Sequence, residues 1–523
     1  MAAAPRQAAR RGPRAFGIEC GALMEMGAAT APAAPGPGAA SDRDRTLRNV
    51  GEVVAQRGLH ILAAALFAAF VPRLMGPDRF GRFALLLSVS LWFALLSGFG
   101  AVSVMSRAVP RLLAEGQTHA VRRLTTSLMA LRALTGPLAA AGCFAVLAFV
   151  LREPDRVASA LVALAVVGRT INNVAFSLFL GLNDAGRWGR GELLRRWLTL
   201  ALAPAGFVAG GLRGACAGVA AAEAVVLGLG LWWVRAYIGR DALDLSRRYL
   251  SPFLRAGSGF GVAAVLAAIT QRSGEVIVRL ATGRYEEVGY LGAAYSIYLT
   301  VAFVLWHATF ACLPFIVGLL GQGRRAEVSA WLERLLTYGA IAAAICVAGA
   351  VVAGPVAVPW VLGRSYAPVA ASLVPLMVAM LFHAAGDVGR LLALAVDPPR
   401  IVTAAAALEL AAFWGIGLPL AARAGSVGAA MAAVAAAALY AAFLTRHARR
   451  SVRYSLAAAG RAVALAVVFV PPALARGAWP LNAVLLAAAL VAYAVLLVSC
   501  RVVTAGELAE VRRLLLGRAA ARR

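Results

Sequence analysis

The sequence contains no lysine and is poor in charge of either sign. All 51 basic residues of the 523-residue chain are arginines, and only 14% of the residues are charged, whereas 61% are hydrophobic. The mean hydropathy is +0.79. So little charge over so long a chain excludes a soluble protein. The formal net charge of +27 does not indicate a nucleic-acid partner, because the arginines fall mainly in connections and tails, where they set membrane topology and contact anionic lipids.

The sequence also lacks the motifs that catalysis requires. It has no glycine-rich phosphate-binding loop, no metal-ligand spacing and no soluble segment large enough to hold a catalytic centre. We therefore expect no enzymatic activity, no cofactor and no metal site. The six cysteines follow neither a metal-binding nor an extracellular disulfide pattern and are interpreted as packing residues, at Cys20, Cys143, Cys216, Cys312, Cys346 and Cys500.

Long apolar runs make up most of the chain, and runs of about 20 residues predict transmembrane helices. We count about fourteen such segments, so the predicted fold class is an all-α polytopic membrane protein. Continuous runs rich in alanine and leucine exclude the alternating pattern of a membrane β-barrel. The approximate limits are 48–72, 82–106, 123–151, 156–181, 194–212, 214–237, 252–282, 287–319, 330–360, 368–396, 400–422, 425–446, 458–475 and 478–500.

Composition and spacing divide the chain into five parts. Residues 1–45 are rich in alanine, proline, glycine and arginine and are predicted to be a disordered basic tail, not a cleaved leader. Two six-helix bundles are expected at 46–240 and 250–450, followed by two extra transmembrane helices at 456–500. Residues 501–523 are predicted to be a cytoplasmic amphipathic tail.

Matching glycine spacings indicate that the two bundles arose by duplication. Gly181 and Gly214 are 33 residues apart, and Ala395 and Gly428 show the same separation in the second bundle. Transporters built from repeated bundles bind substrates at the bundle interface and rock one bundle against the other. The alternative is that helices rich in glycine and alanine resemble one another by composition alone.

The distribution of arginine predicts the orientation in the membrane. Alternate connections and both tails are rich in arginine, whereas the connections between them are short and mostly poorer in it. The exception is the first of these short connections, which carries Arg73, Arg79 and Arg82. Because arginine-rich loops remain in the cytoplasm, we expect a multi-pass protein of the cytoplasmic (inner) membrane with both termini cytoplasmic.

Three short motifs resemble those of bacterial polysaccharide and lipid-linked oligosaccharide flippases. RLMGPDRFG at 73–81 resembles the junction after their first helix, LGRSY at 362–366 the loop before the tenth, and GSVGAA at 425–430 the start of the twelfth. That family belongs to the superfamily of multidrug, oligosaccharidyl-lipid and polysaccharide exporters. The resemblance implies that a polyprenyl-pyrophosphate-linked oligosaccharide is moved across the cytoplasmic membrane for the synthesis of envelope polysaccharide such as lipopolysaccharide. It also implies membrane lipids and the polysaccharide polymerase and glycosyltransferases of the pathway as partners.

Polar residues inside the apolar segments are candidates for substrate binding, because ionisable groups are costly in a membrane. Guanidinium groups pair bidentately with phosphate oxygens, so arginines around a shared cavity would bind a pyrophosphate. The candidates are Arg57 and His60 in the first segment, Arg169, Asn172 and Asn173 in the fourth, and Arg272, Glu275 and Arg279 in the seventh.

Each candidate also has a structural interpretation. Arg57 would snorkel to the cytoplasmic surface if it lies near the end of its helix. Arg169 would form a structural pair with Glu223. Glu275 would neutralise the two arginines of its own segment, and this is compatible with a place in the cavity wall.

The tenth segment carries three further polar residues on one face. His383, Asp387 and Arg390 are spaced i, i+4 and i+7. This pattern predicts either a salt bridge between Asp387 and Arg390 or a proton-coupling site at Asp387 and His383.

Three other functions compete with that of a flippase. A cation-coupled multidrug exporter of the same superfamily usually has twelve helices and fewer arginines in its cavity. An integral-membrane glycan polymerase or ligase needs a large external loop that carries catalytic residues, and the predicted external connections are short. A scaffold without transport activity is the third.

Overall fold

The computed structural model describes residues 39–98, 100–397, 399–474, 479–504 and 506, and side chains at these positions other than 39–55, 57, 185, 240, 256–260, 479 and 480. The described part of the chain contains helices and no strand. The prediction of an all-α polytopic membrane protein is confirmed. Most of the predicted basic tail and of the amphipathic tail lies outside the described residues.

Seventeen α-helices follow one another along the described residues. The first nine are α1 (Ala39–Met75), α2 (Pro77–Leu96), α3 (Ala101–Ala114), α4 (Thr118–Ala145), α5 (Arg156–Gly181), α6 (Ala185–Val234), α7 (Arg247–Thr270), α8 (Ser273–Thr282) and α9 (Tyr285–Phe310). The others are α10 (Leu313–Gly321), α11 (Arg325–Val352), α12 (Gly354–Leu362), α13 (Val369–Val396), α14 (Pro399–Ser451), α15 (Ala457–Leu465), α16 (Val470–Leu474) and α17 (Trp479–Ser499).

The described helices supply fourteen spans once their bends are taken into account. Eleven helices or helix pairs are long and apolar enough to cross a membrane, and the pair α7 and α8, bent by 44°, forms a twelfth span. Two of the eleven cover 52 and 53 residues. A straight helix of that length would extend about 78 Å, whereas the apolar core of a bilayer is about 30 Å thick. Each therefore turns back on itself and crosses the membrane twice.

The two turns have the same backbone geometry. In α6 the reversal lies at Gly210 (φ −147°, ψ 22°) and Gly211 (φ 61°, ψ −143°). In α14 it lies at Ala424 (φ −131°, ψ 18°) and Gly425 (φ 57°, ψ −133°). The two arms of the α14 hairpin pack closely at a glycine. A Cβ at Gly428 would lie only 2.0 Å from the carbonyl oxygen of Leu420. Equal turns at equivalent places support the duplication that the glycine spacing predicts.

We expect alanine at Gly425 to destabilise the protein more than alanine at Gly211. Both residues have a positive φ that a β-carbon strains, at a cost of about 1–3 kcal/mol. The Cβ at Gly425 would in addition lie 2.4 Å from a carboxylate oxygen of Glu287, whereas at Gly211 no atom lies within 4 Å. Thermal unfolding of both variants in detergent would measure the difference, and equal midpoints would contradict this explanation.

The hydrophobic core is continuous at one side of the molecule and divided at the other. One buried cluster includes residues of both halves, among them Val71, Phe83, Val276 and Leu291. These lie near the side that carries the arginine-poor connections. Towards the arginine-rich side, one cluster joins α3, α4, α5 and the end of α6, and another joins α10, α11, α13 and the end of α14. The two halves therefore meet at the arginine-poor side and separate towards the arginine-rich side.

The closed, arginine-poor side depends on close contact between α2 and α9. A Cβ at Gly81 would lie 1.9 Å from the carbonyl oxygen of Tyr285, and a Cβ at Gly289 would lie 2.1 Å from that of Pro77. The ring of Tyr285 also lies between two guanidinium groups, 4.6 Å from Arg82 of the first half and 3.9 Å from Arg279 of the second. The backbones of α2 and α9 therefore touch with no side chain between them. This contact, together with the cation–π contacts of Tyr285, closes the arginine-poor side.

The segment that connects the halves is bound to the first half. Arg123 of α4 pairs with Asp244 and lies 4.4 Å from the Tyr249 ring centre. Hydrogen bonds from the Ser246 hydroxyl and backbone, together with the Arg123 guanidinium, lower the pKa of Asp244. The backbone N–H of Asp244 donates to the Ser127 hydroxyl at 2.9 Å. The start of α7 is consequently anchored to the first half.

A break divides the second span between α2 and α3. Arg132 of α4, which is only 1% exposed, donates hydrogen bonds to the carbonyl oxygens of Ser97 and Gly98 at this break. Its guanidinium therefore adds hydrogen bonds to carbonyl groups at the point where the regular helical pattern is interrupted.

Candidate functional site

A cavity of about 810 Å³ lies between the halves where their cores separate. Its wall is formed by α1, α2, α5 and α6 of the first half and by α7, α8, α9, α11, α13 and α14 of the second. Ligand pockets usually have volumes of about 300–1,000 Å³. Most of the wall is apolar, and its charged side chains form two groups, one around α5, α6 and the α7–α8 bend and the other on α13 and α14.

The first group belongs to α5 and α6. Arg195 is only 5% exposed; it donates a hydrogen bond to Glu192 at 2.7 Å and forms an ion pair with Glu223 at 3.3 Å. Arg169 lies 3.9 Å from Glu223, and its side chain is 35% exposed. Arg196, on the next helical position, is exposed to the cavity and forms no ion pair with a carboxylate of the described residues. Arg195 thus neutralises the glutamates, while Arg169 and Arg196 remain available to a ligand.

The bend between α7 and α8 brings a further arginine to the same place. Arg272 precedes the first turn of α8, and its side chain is 32% exposed. Its guanidinium lies 3.8 Å from Glu275, which is 1% exposed and forms no hydrogen bond through either carboxylate oxygen with the described residues. Ion pairing with Arg272 and the N-terminal dipole of α8 compensate part of the cost of burying this carboxylate.

Arg169, Arg196 and Arg272 form what we call the arginine cluster. Arg169 interacts electrostatically with Arg272, and Arg196 interacts with both. Three guanidinium groups from α5, α6 and the α7–α8 bend therefore face the same cavity and influence one another electrostatically. A ligand with several negative charges that binds between these groups would relieve the repulsion that Glu223 and Glu275 leave uncompensated.

The second group, which we call the acidic wall, belongs to α9, α13 and α14. The Tyr298 hydroxyl lies 2.9 Å from His383 Nδ1, and His383 Nε2 bonds to Glu409 Oε1 at 2.8 Å. Asp387 lies 4.0 Å from Arg390 and accepts a 3.4 Å hydrogen bond from the Tyr440 hydroxyl. The acidic wall consists of His383, Asp387, Arg390 and Glu409 with Tyr298, Tyr440 and the neighbouring Trp306.

The predicted site residues fall into three groups by position. His60, Arg169, Arg272, Glu275, His383, Asp387 and Arg390 line the cavity. Asn172 is fully buried and Asn173 half-buried, and neither is among the lining residues; Asn172 faces Gly230 inside the first half. Arg279 is also absent from the wall, and its guanidinium stacks on Tyr285 at the closed side. The side chain of Arg57 lies outside the described part.

The bend of the seventh span explains why Arg279 is separated from Arg272. The sequence predicts one polar stripe over Arg272, Glu275 and Arg279, but the helix is interrupted at Gln271 and Arg272. Glu275 and Arg279 share a helical face, and Arg279 lies one turn closer to the arginine-poor side.

Sequence reasoning missed five charged residues of the cavity wall as binding candidates: Glu192, Arg195, Arg196, Glu223 and Glu409. It assigned Arg195 and Arg196 to a cytoplasmic connection and did not consider Glu192, whereas all three lie within α6, which begins at Ala185. It treated Glu409 as a single interhelical contact, without its bond to His383. The i, i+3, i+4 spacing of Glu192, Arg195 and Arg196 is typical of charged residues on one helical face and was the available signal.

Comparison with known proteins identifies the fold. No protein-family model matches the chain, and no curated protein matches it by sequence. Solved structures do match. An inward-facing multidrug resistance MATE family transporter of the MOP superfamily aligns with a TM-score of 0.66 and 14% identity over 77% of this chain and 96% of that chain. The lipid II flippase MurJ in an inward closed conformation aligns with a TM-score of 0.67 and 11% identity over 85% of this chain and 97% of that chain.

A third solved structure of the same fold aligns with a lower score. An outward-facing MATE family transporter gives a TM-score of 0.55 at 14% identity, lower than the 0.66 of the inward-facing structure. The chain has the fold that these transporters share, and the resemblance predicted from the motifs is confirmed at the level of the fold.

Proposed function

We propose that this membrane protein is a flippase for a polyprenyl-pyrophosphate-linked oligosaccharide, a precursor of envelope polysaccharide. The observation that carries the proposal is the arginine cluster in a cavity between two halves. The resemblance of the three motifs and the fold shared with a lipid II flippase support it.

The physical requirement for such a transporter is a polar path for the pyrophosphate. Ions are strongly destabilised in hydrocarbon, so a lipid-linked pyrophosphate does not cross a bilayer unaided. In the cavity wall, Arg169, Arg195, Arg196 and Arg272 face Glu192, Glu223 and Glu275, and four positive charges against three negative ones leave one net positive charge. Because Arg195 already bonds to two of the glutamates, the arginine cluster supplies the donors for phosphate oxygens.

The division of the core supplies the route. Substrate enters from the arginine-rich side, which we expect to be cytoplasmic, while contact between α2 and α9 closes the other side. Separation of this contact and closure of the cavity mouth would then expose the substrate to the outer leaflet, as in alternating access. His383, Asp387 and Arg390 remain our candidates for coupling this movement to a proton gradient. Polysaccharide polymerase and glycosyltransferases of the same pathway are the proposed partners.

A cation-coupled multidrug exporter is the second candidate, because MATE family transporters share the fold. The arginine cluster disfavours it, since three guanidinium groups repel a cationic drug. A glycan polymerase or ligase is disfavoured because the described connections on the arginine-poor side are short, apart from 353–368, which contains α12.

Transport by the purified protein tests the proposal. We expect liposomes that contain the protein to move a fluorescent polyprenyl-pyrophosphate-linked oligosaccharide between leaflets, as measured by quenching of the outer-leaflet label. Liposomes with the same lipid but no protein give the background rate. A rate equal to the background, from protein shown to be folded by thermal unfolding, would contradict the flippase proposal.

A further inference from the structure

The acidic wall and the arginine cluster differ in chemistry although they face one cavity. We propose that the acidic wall binds the sugar head of the substrate and selects uncharged sugars over acidic ones. This inference rests on the proposed function. It assigns the pyrophosphate to the arginine cluster and the sugar head to the acidic wall, at two different places in one cavity.

The acidic wall presents hydrogen-bond acceptors at fixed positions. His383 is bonded at both ring nitrogens, to Tyr298 and to Glu409, so its orientation is set. The His383 side chain is 28% exposed and that of Asp387 is 17% exposed, and both line the cavity. The side-chain oxygens of Asp387 and Glu409 accept hydrogen bonds. They are therefore suited to the hydroxyl groups of a sugar, which can donate.

Aromatic rings flank these acceptors and restrain the only arginine of the wall. The Arg390 guanidinium lies 5.6 Å from the Trp306 ring centre and 4.9 Å from that of Phe310. It also interacts with Asp387 at 4.0 Å. Arg390 is thereby held by groups of the protein, unlike Arg196. An apolar surface with a few fixed polar groups is the usual composition of a small-ligand site.

The charge of the wall sets its selectivity. Both cationic groups of the wall are already engaged by its own carboxylates, Arg390 by Asp387 and His383 by Glu409, so the wall offers no uncommitted cation to an acidic sugar. An acidic sugar would place its carboxylate against these two carboxylates, and juxtaposed like charges are a common device for rejecting unwanted ligands. A neutral sugar meets no such repulsion and would donate its hydroxyl hydrogens. The pyrophosphate would be repelled from this wall and drawn to the arginine cluster, which orients the substrate.

Binding of three probes to the purified protein in lipid nanodiscs tests the inference. The probes are polyprenyl pyrophosphate, the same lipid carrying N-acetylglucosamine, and the same lipid carrying glucuronic acid. We expect the neutral sugar to bind about tenfold more tightly than the acidic one. Asp387→Asn combined with Glu409→Gln should reduce this ratio to near one. Trp306→Leu should lower the affinity for the N-acetylglucosamine lipid without increasing that for the acidic one.

Two control variants separate this inference from the proposed function. Arg196→Ala should weaken binding of all three lipids and leave the ratio between the two sugars unchanged. Glu327→Gln removes a carboxylate of α11 that pairs with Arg324 and is 49% exposed, and it should leave the ratio at the wild-type value. Thermal unfolding of every variant establishes that it is folded.

The possible outcomes distinguish the hypotheses. If all three lipids bind but Asp387→Asn with Glu409→Gln leaves the ratio unchanged, the sugar assignment is wrong and the flippase proposal stands. If that variant abolishes the dependence of transport on a pH gradient and leaves the ratio unchanged, the coupling proposal stands and the sugar assignment is wrong. If none of the three lipids binds to folded protein, the proposed function falls together with this inference.

Discussion

Replacing Arg196 with alanine will lower the affinity for polyprenyl pyrophosphate by about 10- to 100-fold. A hydrogen bond to a charged group contributes about 1.5–3 kcal/mol, which is the basis of this range. Arg196 forms no ion pair with a carboxylate in the described part of the chain, so its removal leaves no buried carboxylate uncompensated. The loss should therefore appear in binding and transport and not in the midpoint of thermal unfolding.

Arg195 is the matched control for this experiment, because it is the adjacent residue of the same helix. Its guanidinium bonds to Glu192 and Glu223 and is almost fully buried. Arg195→Ala would leave two carboxylates without that partner, which typically costs about 3–5 kcal/mol for a buried pair. We expect this variant to be strongly destabilised, in contrast to Arg196→Ala.

Arg196→Lys adds a test of geometry. Lysine keeps the charge but cannot form the bidentate pair with phosphate oxygens. An intermediate affinity is expected. Full activity of both Arg196→Ala and Arg196→Lys would exclude the arginine cluster as the pyrophosphate site.

Alanine at Gly81 will open the side of the molecule that α2 and α9 close. The new Cβ would lie 1.9 Å from the carbonyl oxygen of Tyr285, which belongs to the backbone and cannot move without its helix. Such overpacking costs about 1–3 kcal/mol and would shift the balance of conformations by about five- to 150-fold. We expect transport to fall by a comparable factor.

Accessibility of a cysteine placed at Ala84 would measure this shift. Ala84 is 9% exposed and lies one turn along α2, near Gly292 of α9. A membrane-impermeant thiol reagent added from the outside should label it faster in the Gly81→Ala background. Gly349→Ala is the control, because no atom lies within 4 Å of a Cβ there. If Gly81→Ala transports at the wild-type rate and its labelling is unchanged, the glycine contact does not govern closure.

The number and order of the helices could be predicted from the sequence, because whether a segment spans the membrane depends on the residues of that segment. Each span needs about 20 apolar residues, and this requirement can be evaluated segment by segment. The prediction of about fourteen spans agrees with the structure after the hairpins in α6 and α14 are divided. The fifth span was expected to begin at 194, whereas α6 begins at Ala185. Arg195 and Arg196 therefore lie about three turns inside the helix, in the cavity wall, and not at its start.

The sequence by itself determined the all-α membrane class, the hairpin turns at the repeated glycines and several intramembrane polar residues, since each depends on residues close together in the chain. Only the tertiary structure decided which polar residues share a cavity. Arg196 and Arg272 are 76 positions apart in the sequence, and the α7–α8 bend brings Arg272 near Arg196 while Arg279 stacks on Tyr285 instead. Whether distant side chains come together depends on how the helices pack and bend, and the spacing of residues along one helix does not reveal this.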